Sequence, residues 1–508
     1  MKLEVLFREI SGEKRLAGVH SPDVEIGEIV YDSRNVSSCR VGVLFACARG
    51  SRVDGHDFAA SAIDSGAVAL LAERELSFDD AGSKGVPQII VPDVRAAMGE
   101  AASVLYGRPS DKLTMIGLTG TNGKTTTAYI TRSIIRASGR VCGMLGTVVY
   151  DDCSSEEAAS RTTPEGPDIQ RSLCSMVRNG ATCCVMEASS HGLAQGRLEG
   201  CSFDRVAFGN LTFEHLEYHG DMENYFAAKR LLFSNHVKRD WAAVINADDD
   251  YGVRLLAEYS GSAFGFSIRR EPERGLYCCV GVRTSIEGTE LDVTYPDGES
   301  QSIRSPLIGF HNAQNVMEAI ALADSLSIPR DVIHKGILEC RRVPGRLERY
   351  ALARGAAAFV DYAHSPDGLE KVLSTLSALK TGRLWVLWGA GGDRTAAKRP
   401  LAGAVMARLA DRVIITTDNP RSERPADIAS QVESGVISSG EGIPCEIILD
   451  RGEAIRSALD RAESGDVVLV AGKGPENYIE YADSRVPFSD TGIVLEWIEE
   501  RGLWGDQT

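Results

Sequence analysis

The chain lacks any long apolar run and any excess of positive charge. No stretch approaches the roughly 18 to 20 apolar residues that a membrane-spanning helix needs, so we expect no membrane insertion. Lys plus Arg number 55 against 71 Asp plus Glu, which gives a formal net charge of -16. Because nucleic-acid-binding proteins usually carry a basic patch, this balance argues against a nucleic-acid partner. A small anionic ligand stays compatible with it, since a site can be locally basic within an acidic protein.

Cysteine pairs with zinc-ligand spacing are also absent. The 12 cysteines are scattered, and the adjacent pairs Cys183-Cys184 and Cys278-Cys279 do not form a CxxC motif. The first ten residues, MKLEVLFREI, contain an acidic residue by position 4 and no apolar core, which is not typical of a secretory signal. We therefore expect reduced thiols packed as small hydrophobic groups, and a cytoplasmic protein.

The apolar residues that are present follow a strand-then-helix order. Of the 508 residues, 43% are hydrophobic and 25% are charged, as in folded globular proteins. Residues 126–139 have helical spacing, and residues 276–305 alternate in the manner of hairpin strands. Buried strands are predicted at 113–119, 181–187, 205–211, 241–247, 356–364, 383–392, 412–420 and 466–474. This order predicts an α/β fold with parallel sheets, whose ligands bind beyond the carboxyl ends of the strands.

Two Pro- and Gly-containing breaks divide the chain. They are YGRPSDKL at 106–113 and RRVPGRLE at 341–348. At about 150 residues per domain, the length suggests three domains. We predict domains at 1–110, 111–343 and 344–508, with a parallel-sheet P-loop domain in the centre and a Rossmann-like domain at the C-terminus.

The strongest local signal is TGTNGKTTT at 119–127, between a predicted strand and a predicted helix. Glycines let such a loop curl so that backbone N–H groups and the helix N-terminus face a phosphate. In this position the lysine would contact the β- and γ-phosphates and the following threonine would bind Mg²⁺. Leu118 stands where the standard pattern has glycine, so the loop is a variant. The predicted ATP-binding residues here are Gly120, Thr121, Asn122, Gly123, Lys124, Thr125 and Thr126.

A series of motifs in a fixed order resembles the Mur ligase family of ATP-dependent amide-bond-forming enzymes. Beside the phosphate loop, the motifs are YDSRNV (31–36), DGHDF (54–58), TTP (162–164), EASSHGLAQGRL (187–198), GNLTFEHLEYHGDMENYFAAKRLLF (209–233), HNAQNVMEAIALA (311–323), DNPRSE (418–423) and GKGPEN (472–477). The resemblance covers nearly the whole chain. It implies a first domain that binds uridine diphosphate, a second that binds ATP and a third that binds an amino acid.

The resemblance also implies roles for individual residues. Contacts to a UDP-muramyl substrate fall on Ser33, Arg34, Thr162, Thr163, Ser189, Gln195 and Arg197. Lys124, Glu187, His215 and Lys229 are implied as catalytic residues, with Mg²⁺ held by Thr125, Glu187, His215 and an N-carbamylated Lys229. Further ATP contacts fall on Asn312, Arg346 and Asp361, and amino-acid contacts on Arg394, Asp418, Asn419, Arg421, Gly472 and Glu476.

The implied reaction adds a diamino acid to the D-glutamate of UDP-MurNAc-L-Ala-D-Glu through an acyl phosphate. In the resembled enzymes, Asp-Asn-Pro-Arg at 418–421 accompanies meso-2,6-diaminopimelate. This acid differs from lysine by a second carboxylate, which an arginine can bind through paired N–H groups. Pro475 stands where the family commonly has histidine, and L-lysine or ornithine remains an alternative acceptor.

Two other functions compete with this one. Another amide ligase of the superfamily, such as a folylpolyglutamate synthetase, would share the phosphate loop but not the DSR and DGHDF motifs. A P-loop NTPase switch would hydrolyse nucleotide under the control of a partner protein, and it would have no need of a third domain with glycine-rich strand ends. We expect small-molecule partners only, and a monomer.

Overall fold

The chain folds into two compact units. The computed structural model describes residues 1–18, 23–50, 53–78 and 85–503. The first unit comprises Met1–Val280, Val293–Gln301 and Gln314–Glu339, and the second comprises Gly281–Asp292, Ser302–Ala313 and Cys340–Thr508. Within the described part of the chain, no helix is long and apolar enough to cross a membrane. The twelve cysteines all lie within the described residues, and none of them forms a disulfide bond.

The first unit begins with a five-stranded sheet in the order β1-β5-β4-β3-β2, in which only β1 is antiparallel to its neighbour. Apolar side chains pack on both faces of this sheet. Its strands are β1 (Arg15–Ala17), β2 (Glu28–Val30), β3 (Val43–Ala46), β4 (Ala67–Ala72) and β5 (Gln88–Ile90). Its helices are α1 (Leu3–Glu9), α2 (Ala59–Asp64) and α3 (Val94–Leu105), with 3₁₀ turns at Ser33–Ser38 and Gly55–Phe58.

A larger sheet forms the rest of the first unit. Its strands are β6 (Thr114–Thr119), β7 (Cys142–Leu145), β8 (Val149–Asp151), β9 (Glu156–Ala158), β10 (Cys183–Glu187), β11 (Phe203–Phe208), β12 (Val237–Asn246) and β13 (Ala263–Ser267). Its helices are α4 (Lys124–Ala137), α5 (Gly166–Arg178), α6 (Ser190–Ala194), α7 (Leu216–His219), α8 (Met222–Ser234) and α9 (Asp250–Glu258), preceded by a 3₁₀ turn at Pro109–Lys112.

The strand order of this sheet places β6 at its centre. The order is β13-β12-β11-β6-β10-β7-β8-β9, and β6 is parallel to both β10 and β11. The strands that follow β6 in the chain first extend the sheet on its β10 side, with β7, and later on its opposite side, with β11. The carboxyl end of β6 therefore lies at a topological switch point. Ligands of open α/β sheets bind at such a point.

Three further strands continue beyond β13, where the alternating pattern predicts hairpins: β14 (Leu276–Ser285), β15 (Gly288–Thr294) and β16 (Ser300–Ser305). Two helices follow, α10 (Phe310–Ser325) and α11 (Arg330–Glu339). Helix α11 packs closely on α4, since a Cβ at Gly336 would lie 2.4 Å from Ile134 Cα.

The second unit is built on a six-stranded sheet in the order β17-β18-β22-β19-β20-β21, parallel except for β17. Apolar side chains cover both faces. The strands are β17 (Glu348–Ala351), β18 (Ala357–Asp361), β19 (Leu384–Trp388), β20 (Arg412–Ile415), β21 (Cys445–Ile447) and β22 (Val467–Ala471), and the hairpin strands are β23 (Tyr478–Tyr481) and β24 (Ser484–Pro487). The helices are α12 (Pro366–Leu379), α13 (Lys398–Leu409), α14 (Pro425–Ser438), α15 (Arg451–Arg461) and α16 (Asp490–Glu500), with a 3₁₀ turn at Ala353–Gly355.

The α/β fold class with parallel sheets is therefore confirmed, and each predicted buried strand is present. The break at 341–348 is mostly irregular, whereas that at 106–113 contains the 3₁₀ turn. The three domain boundaries stay a prediction, and the last five residues of the predicted third domain, 504–508, lie outside the described residues.

Candidate active site

The phosphate loop turns sharply from β6 into α4. Gly120 and Gly123 have φ of 155° and 89°, a region that side-chain-bearing residues rarely adopt. A Cβ at Gly123 would lie 2.3 Å from Asn315 Oδ1, so the position also needs glycine for space. Lys124 Nζ donates to the carbonyl oxygens of Gly120 (2.8 Å) and Thr121 (3.0 Å). The loop thus curls around its own lysine at a helix N-terminus, the arrangement that binds phosphate groups.

Lys229 reaches this loop from α8. Its side chain is 1% exposed, and Nζ donates to Gly120 O at 2.7 Å and lies 4.7 Å from the centroid of the Tyr225 ring. Burial, assisted by the charge of Lys124, lowers the pKa of Lys229 well below its ordinary value. The residue is therefore not a solvated helix cation. The lowered pKa increases the fraction of uncharged amine, the form that reacts with CO₂.

Glu187 ends β10 beside the start of α4. Its Oε2 accepts hydrogen bonds from Thr125 Oγ1 and Thr147 Oγ1, both at 3.0 Å, and its Oε1 accepts from Thr147 N at 2.8 Å. The carboxylate is buried. Thr147, which the motifs do not single out, therefore fixes Glu187 against the residue expected to bind Mg²⁺.

His215 precedes α7 in a left-handed conformation, with φ of 58°. Its ring packs edge-on against His191, with 5.0 Å between centroids, and the His219 ring lies 5.4 Å from that of His191. Burial and the neighbouring His215 lower the pKa of His191. Within the described residues, no three His, Cys, Asp or Glu side chains are grouped as ligands of one metal ion.

Five of the seven residues expected to bind the muramyl substrate form one hydrogen-bonded network. Thr163 Oγ1 donates to Glu187 O at 2.9 Å and contacts Ser189 Oγ at 3.0 Å, and Ser189 in turn caps α6. Arg197 donates to Thr163 O at 2.8 Å and to Gln195 Oε1 at 2.6 Å. Thr162 joins through a 3.0 Å contact between its hydroxyl and that of Thr147. The structure thus brings together all five of these predicted residues.

Next to this network, three arginines surround the buried carboxylate of Glu165. Glu165 is 3% exposed, and its oxygens pair with Arg161, with Arg197 at 3.3 Å and with Arg95 at 3.7 Å. Three guanidinium groups around one carboxylate leave an excess of positive charge, which suits an anionic ligand. Burial lowers the pKa of Arg197, with the other two arginines adding to the effect.

Ser33 and Arg34 lie elsewhere in the first unit, in the 3₁₀ turn after β2. Arg34 pairs with Asp32 at 2.6 Å, and its side chain is 86% exposed. The described contacts place it with Asp32 rather than with Thr163 or Arg197.

Asp361 and Asn312, which are also predicted to contact ATP, form hydrogen bonds within the protein. Both carboxylate oxygens of Asp361 accept backbone N–H groups at 2.8 Å, from Leu347 and Ala363. Burial raises the pKa of Asp361, and the charge of Arg346 opposes that shift. Asn312 Nδ2 donates to Ile308 O at 2.8 Å near the start of α10.

The amino-acid loops follow β19, β20 and β22, and they meet at the carboxyl edge of the second sheet. Asn419 Nδ2 donates to Glu476 Oε2 at 2.8 Å. Lys473, which is fully buried and was not predicted, donates from Nζ to Asn419 Oδ1 (2.9 Å) and to Glu476 Oε2 (3.0 Å). Asn419 and Glu476, both predicted to contact the amino acid, are thus aligned by the ammonium group of Lys473.

Two hydrogen bonds hold the side chain of Arg421 at the same carboxyl edge of the second sheet. Its Nη1 donates to Gly392 O at 2.7 Å, and its Nε donates to Glu480 Oε2 at 2.9 Å. A Cβ at Gly391 would lie 3.2 Å from Arg421 Nη1 and 3.7 Å from Arg394 Cγ, so both arginines border this glycine. A Cβ at Gly472 would lie 2.9 Å from Asp418 Oδ2, and burial raises the pKa of Asp418.

Comparison with known proteins identifies this architecture. Three family models match consecutive parts of the chain: the Mur ligase family catalytic domain at residues 25–106, the Mur ligase middle domain at 118–323 and the Mur ligase glutamate ligase domain at 345–474. The chain belongs to the Mur ligase family.

Several relatives that match this Mur ligase over nearly their full length bear the name UDP-N-acetylmuramoyl-L-alanyl-D-glutamate–2,6-diaminopimelate ligase. The protein from Bacillus licheniformis is 38% identical over 506 residues, covering 98% of this chain and 100% of its own. That from Geobacter sulfurreducens is 40% identical over 484 residues, covering 92% and 93%. A solved structure with this name is 31% identical, has a TM-score of 0.67 and covers 95% of this chain and 96% of its own.

Sequence reasoning predicts the family of this Mur ligase correctly but misses several residues of the site. Thr147 and Lys473 come shortly after β7 and β22, so their positions beyond strand ends were a usable signal. Glu165 directly follows the TTP motif. Glu318, a buried acid on α10 whose Oε2 accepts from Thr127 Oγ1 at 2.9 Å, lies in an apolar helical stretch that gives little indication of a site.

Proposed function

We propose that this chain uses ATP to join a diamino acid, meso-2,6-diaminopimelate, to the D-glutamyl residue of UDP-MurNAc-L-Ala-D-Glu, a step in peptidoglycan precursor synthesis. The observation that carries the proposal is the position of Glu187. Its side chain contacts the phosphate-loop residue Thr125, and its backbone carbonyl contacts Thr163 of the predicted muramyl site. One strand end therefore joins the proposed phosphoryl donor site to the proposed acceptor site.

The proposed reaction has two steps. The D-glutamyl γ-carboxylate attacks the γ-phosphate of ATP, giving an acyl phosphate and ADP. The amine of the diamino acid then attacks the acyl carbon, and the tetrahedral intermediate collapses to an amide and phosphate. Lys124 opposes the negative charge of the transferring phosphoryl group, and Arg197, with Arg161 and Arg95, holds the anionic precursor. No side-chain nucleophile is needed, which agrees with the absence of a Ser-His-Asp pattern from the sequence.

Mg²⁺ fits the oxygen groups present beside the phosphate loop. A protein site for Mg²⁺ commonly supplies one or two oxygen ligands, and substrate phosphates and waters supply the rest. The Thr125 hydroxyl and the buried Glu187 carboxylate offer such oxygens, and Lys229 would add an oxygen donor on carbamylation. A neutral imidazole is a less natural ligand for Mg²⁺, so we assign His215 to the outer part of the site. The ion would neutralise charge on the phosphates.

The diamino acid is proposed to bind in the second unit. Arg421 and Arg394, which border Gly391, supply guanidinium groups for the distal carboxylate, and Asp418, Asn419, Gly472 and Glu476 line the edge beside them. A site built around an arginine penalises a substrate that lacks the matching carboxylate, because that charge is left unpaired. This reasoning favours diaminopimelate over lysine or ornithine.

The proposal is tested by ADP release with diaminopimelate, L-lysine and ornithine offered in parallel. We expect release that requires both the UDP-muramyl-dipeptide and diaminopimelate. Full turnover with ATP alone would instead support a nucleotide switch and overturn the proposal. Arg421→Ala should raise the KM for diaminopimelate by roughly a hundredfold, since charge-assisted bidentate contacts are lost, while the KM for ATP stays the same. Arg424→Ala, which removes an arginine that is 82% exposed, is the matched control.

A cytoplasmic, monomeric enzyme with small-molecule partners completes the proposal. ATP and nucleotide-linked precursors are cytoplasmic metabolites. Sedimentation of the purified protein with and without substrates tests the monomer.

A further inference from the structure

The hairpin of β23 and β24 aligns the 418–421 loop. Arg421 N donates to Glu480 O at 3.0 Å, and Glu480 N donates to Asn419 Oδ1 at 2.9 Å. Arg421 also forms an isolated parallel bridge with Tyr481. The backbone of β23 therefore lies against the loop that carries the predicted specificity residues.

The Glu480 side chain joins two guanidinium groups. Its Oε2 accepts from Arg421 Nε at 2.9 Å, and its Oε1 accepts from Arg485 at 2.8 and 3.1 Å. These hydrogen bonds, first those of Arg485, lower the pKa of Glu480, so the carboxylate is charged at neutral pH. Because Arg485 balances the charge of Glu480, the group of three keeps one net positive charge for a ligand.

Arg421 is held at both its backbone and its side chain. Its φ of 50° is uncommon for a residue with a Cβ, and such a conformation persists when surrounding contacts enforce it. With Nε on Glu480 and Nη1 on Gly392 O, the plane of the guanidinium group is set, and its terminal edge keeps N–H groups directed away from Glu480. Recognition of a carboxylate by paired N–H groups depends on this plane.

We propose that Glu480, supported by Arg485, is a positioning residue that orients Arg421 and thereby sets the preference for a diamino acid with a second carboxylate. The inference rests on the proposed function. It identifies a residue outside the Asp-Asn-Pro-Arg motif on which that motif depends. Because Glu480 is proposed to act through Arg421, its effect should be confined to the acid whose distal carboxylate Arg421 binds.

The test compares two acceptors that differ only at the distal group, meso-diaminopimelate and its distal monoamide. Wild type, Glu480→Gln and Arg485→Gln are assayed for product with each. We expect Glu480→Gln to reduce the ratio of kcat/KM between the acid and the amide about tenfold, through a higher KM for the acid, since one charge-assisted contact orients the guanidinium. Arg485→Gln should reduce the ratio less, and the KM for ATP should stay unchanged in both variants.

Glu446→Gln is the matched control, because Glu446, on β21 of the second sheet, pairs with Arg461 of α15 and not with a residue assigned to the amino-acid site. It should leave the ratio unchanged. An equal loss with acid and amide in Glu480→Gln would show a merely structural role and overturn the inference, as would an unchanged ratio in an active variant. If wild type releases ADP at the full rate with no diamino acid present, the proposed function fails, and this inference fails with it.

Discussion

Burial decides the chemistry of Lys229. A lysine on the helical run 222–234 would ordinarily be a solvated cation, yet this one points to the carbonyl of Gly120 and has its pKa lowered well below the ordinary value by burial and by Lys124. A lowered pKa increases the fraction of the uncharged amine, the form that adds CO₂. We therefore expect native mass spectrometry at neutral pH to find the mass of one CO₂ on the wild type and none on Lys229→Arg, with ligase activity lost in the variant.

Lys238→Arg is the control for this prediction. Lys238 Nζ forms an ion pair with Asp204 Oδ2 at 2.8 Å, which an arginine can also form, so its replacement should leave both the added mass and the activity in place. An active wild type that carries no CO₂ would contradict the prediction.

Glu318 should make stability depend on pH. Burial raises its pKa from 4.5 to about 7, against the effects of the Thr127 hydrogen bond and Lys124. The pKa of Glu318 is higher in the folded protein than in the unfolded chain, so folding favours the protonated acid. The resulting contribution to the free energy of unfolding is fully present below pH 4.5. About 3 kcal/mol is lost as the pH rises through about 7. The Glu318→Gln side chain cannot ionise. The unfolding midpoint of this variant should therefore rise relative to that of the wild type as the pH increases from 4.5 to about 7. A difference that is constant with pH would contradict this assignment.

Among the elements, the central strands were the easiest to predict, and the β23–β24 hairpin was missed. Strands β6, β10 and β22 are apolar runs that end in polar or glycine residues, a local pattern that reflects burial on both faces. Strand β24 is exposed throughout, so no apolar alternation marks the hairpin. The Asp-Asn-Pro-Arg loop was found by its motif, whereas its partners Lys473 and Glu480 depend on which strands meet in space.

The starts of α15 and α16 are joined by a buried ion pair. Arg451 contacts the two oxygens of Asp490 at 2.7 Å each and donates to Ala471 O at 3.0 Å, and both side chains are fully buried. Arg451→Met leaves an unpaired buried carboxylate, so we expect a loss of about 3 to 5 kcal/mol in unfolding free energy. The double variant Arg451→Met with Asp490→Leu should recover much of that loss, as measured by chemical unfolding. A double variant as unstable as the single one would contradict the assignment.

For the whole molecule, a net charge of -16 must coexist with anionic substrates. Positively charged side chains lie where those substrates are proposed to bind: at Lys124, at the arginines around Glu165, and at Arg421. The sequence predicts single members of these groups, such as Arg197 and Arg421. It does not reveal Glu165, which is buried, or Glu480, which is partly exposed, because their pairings with Arg95, Arg197 and Arg421 join residues far apart in the chain.

Hydrogen exchange should show that ATP binds to the first unit and the diamino acid to the second. A non-hydrolysable ATP analogue should slow exchange in residues 119–127 of the first unit, because the loop N–H groups would then be bound to phosphate. Adding diaminopimelate to enzyme saturated with the analogue and the UDP-precursor should further slow residues 418–421 and 472–481 of the second unit. In Arg421→Ala, the first protection should remain and the second should be lost. Protection of 119–127 by diaminopimelate alone, with no change at 418–421, would place the amino acid in the wrong unit and refute the assignment.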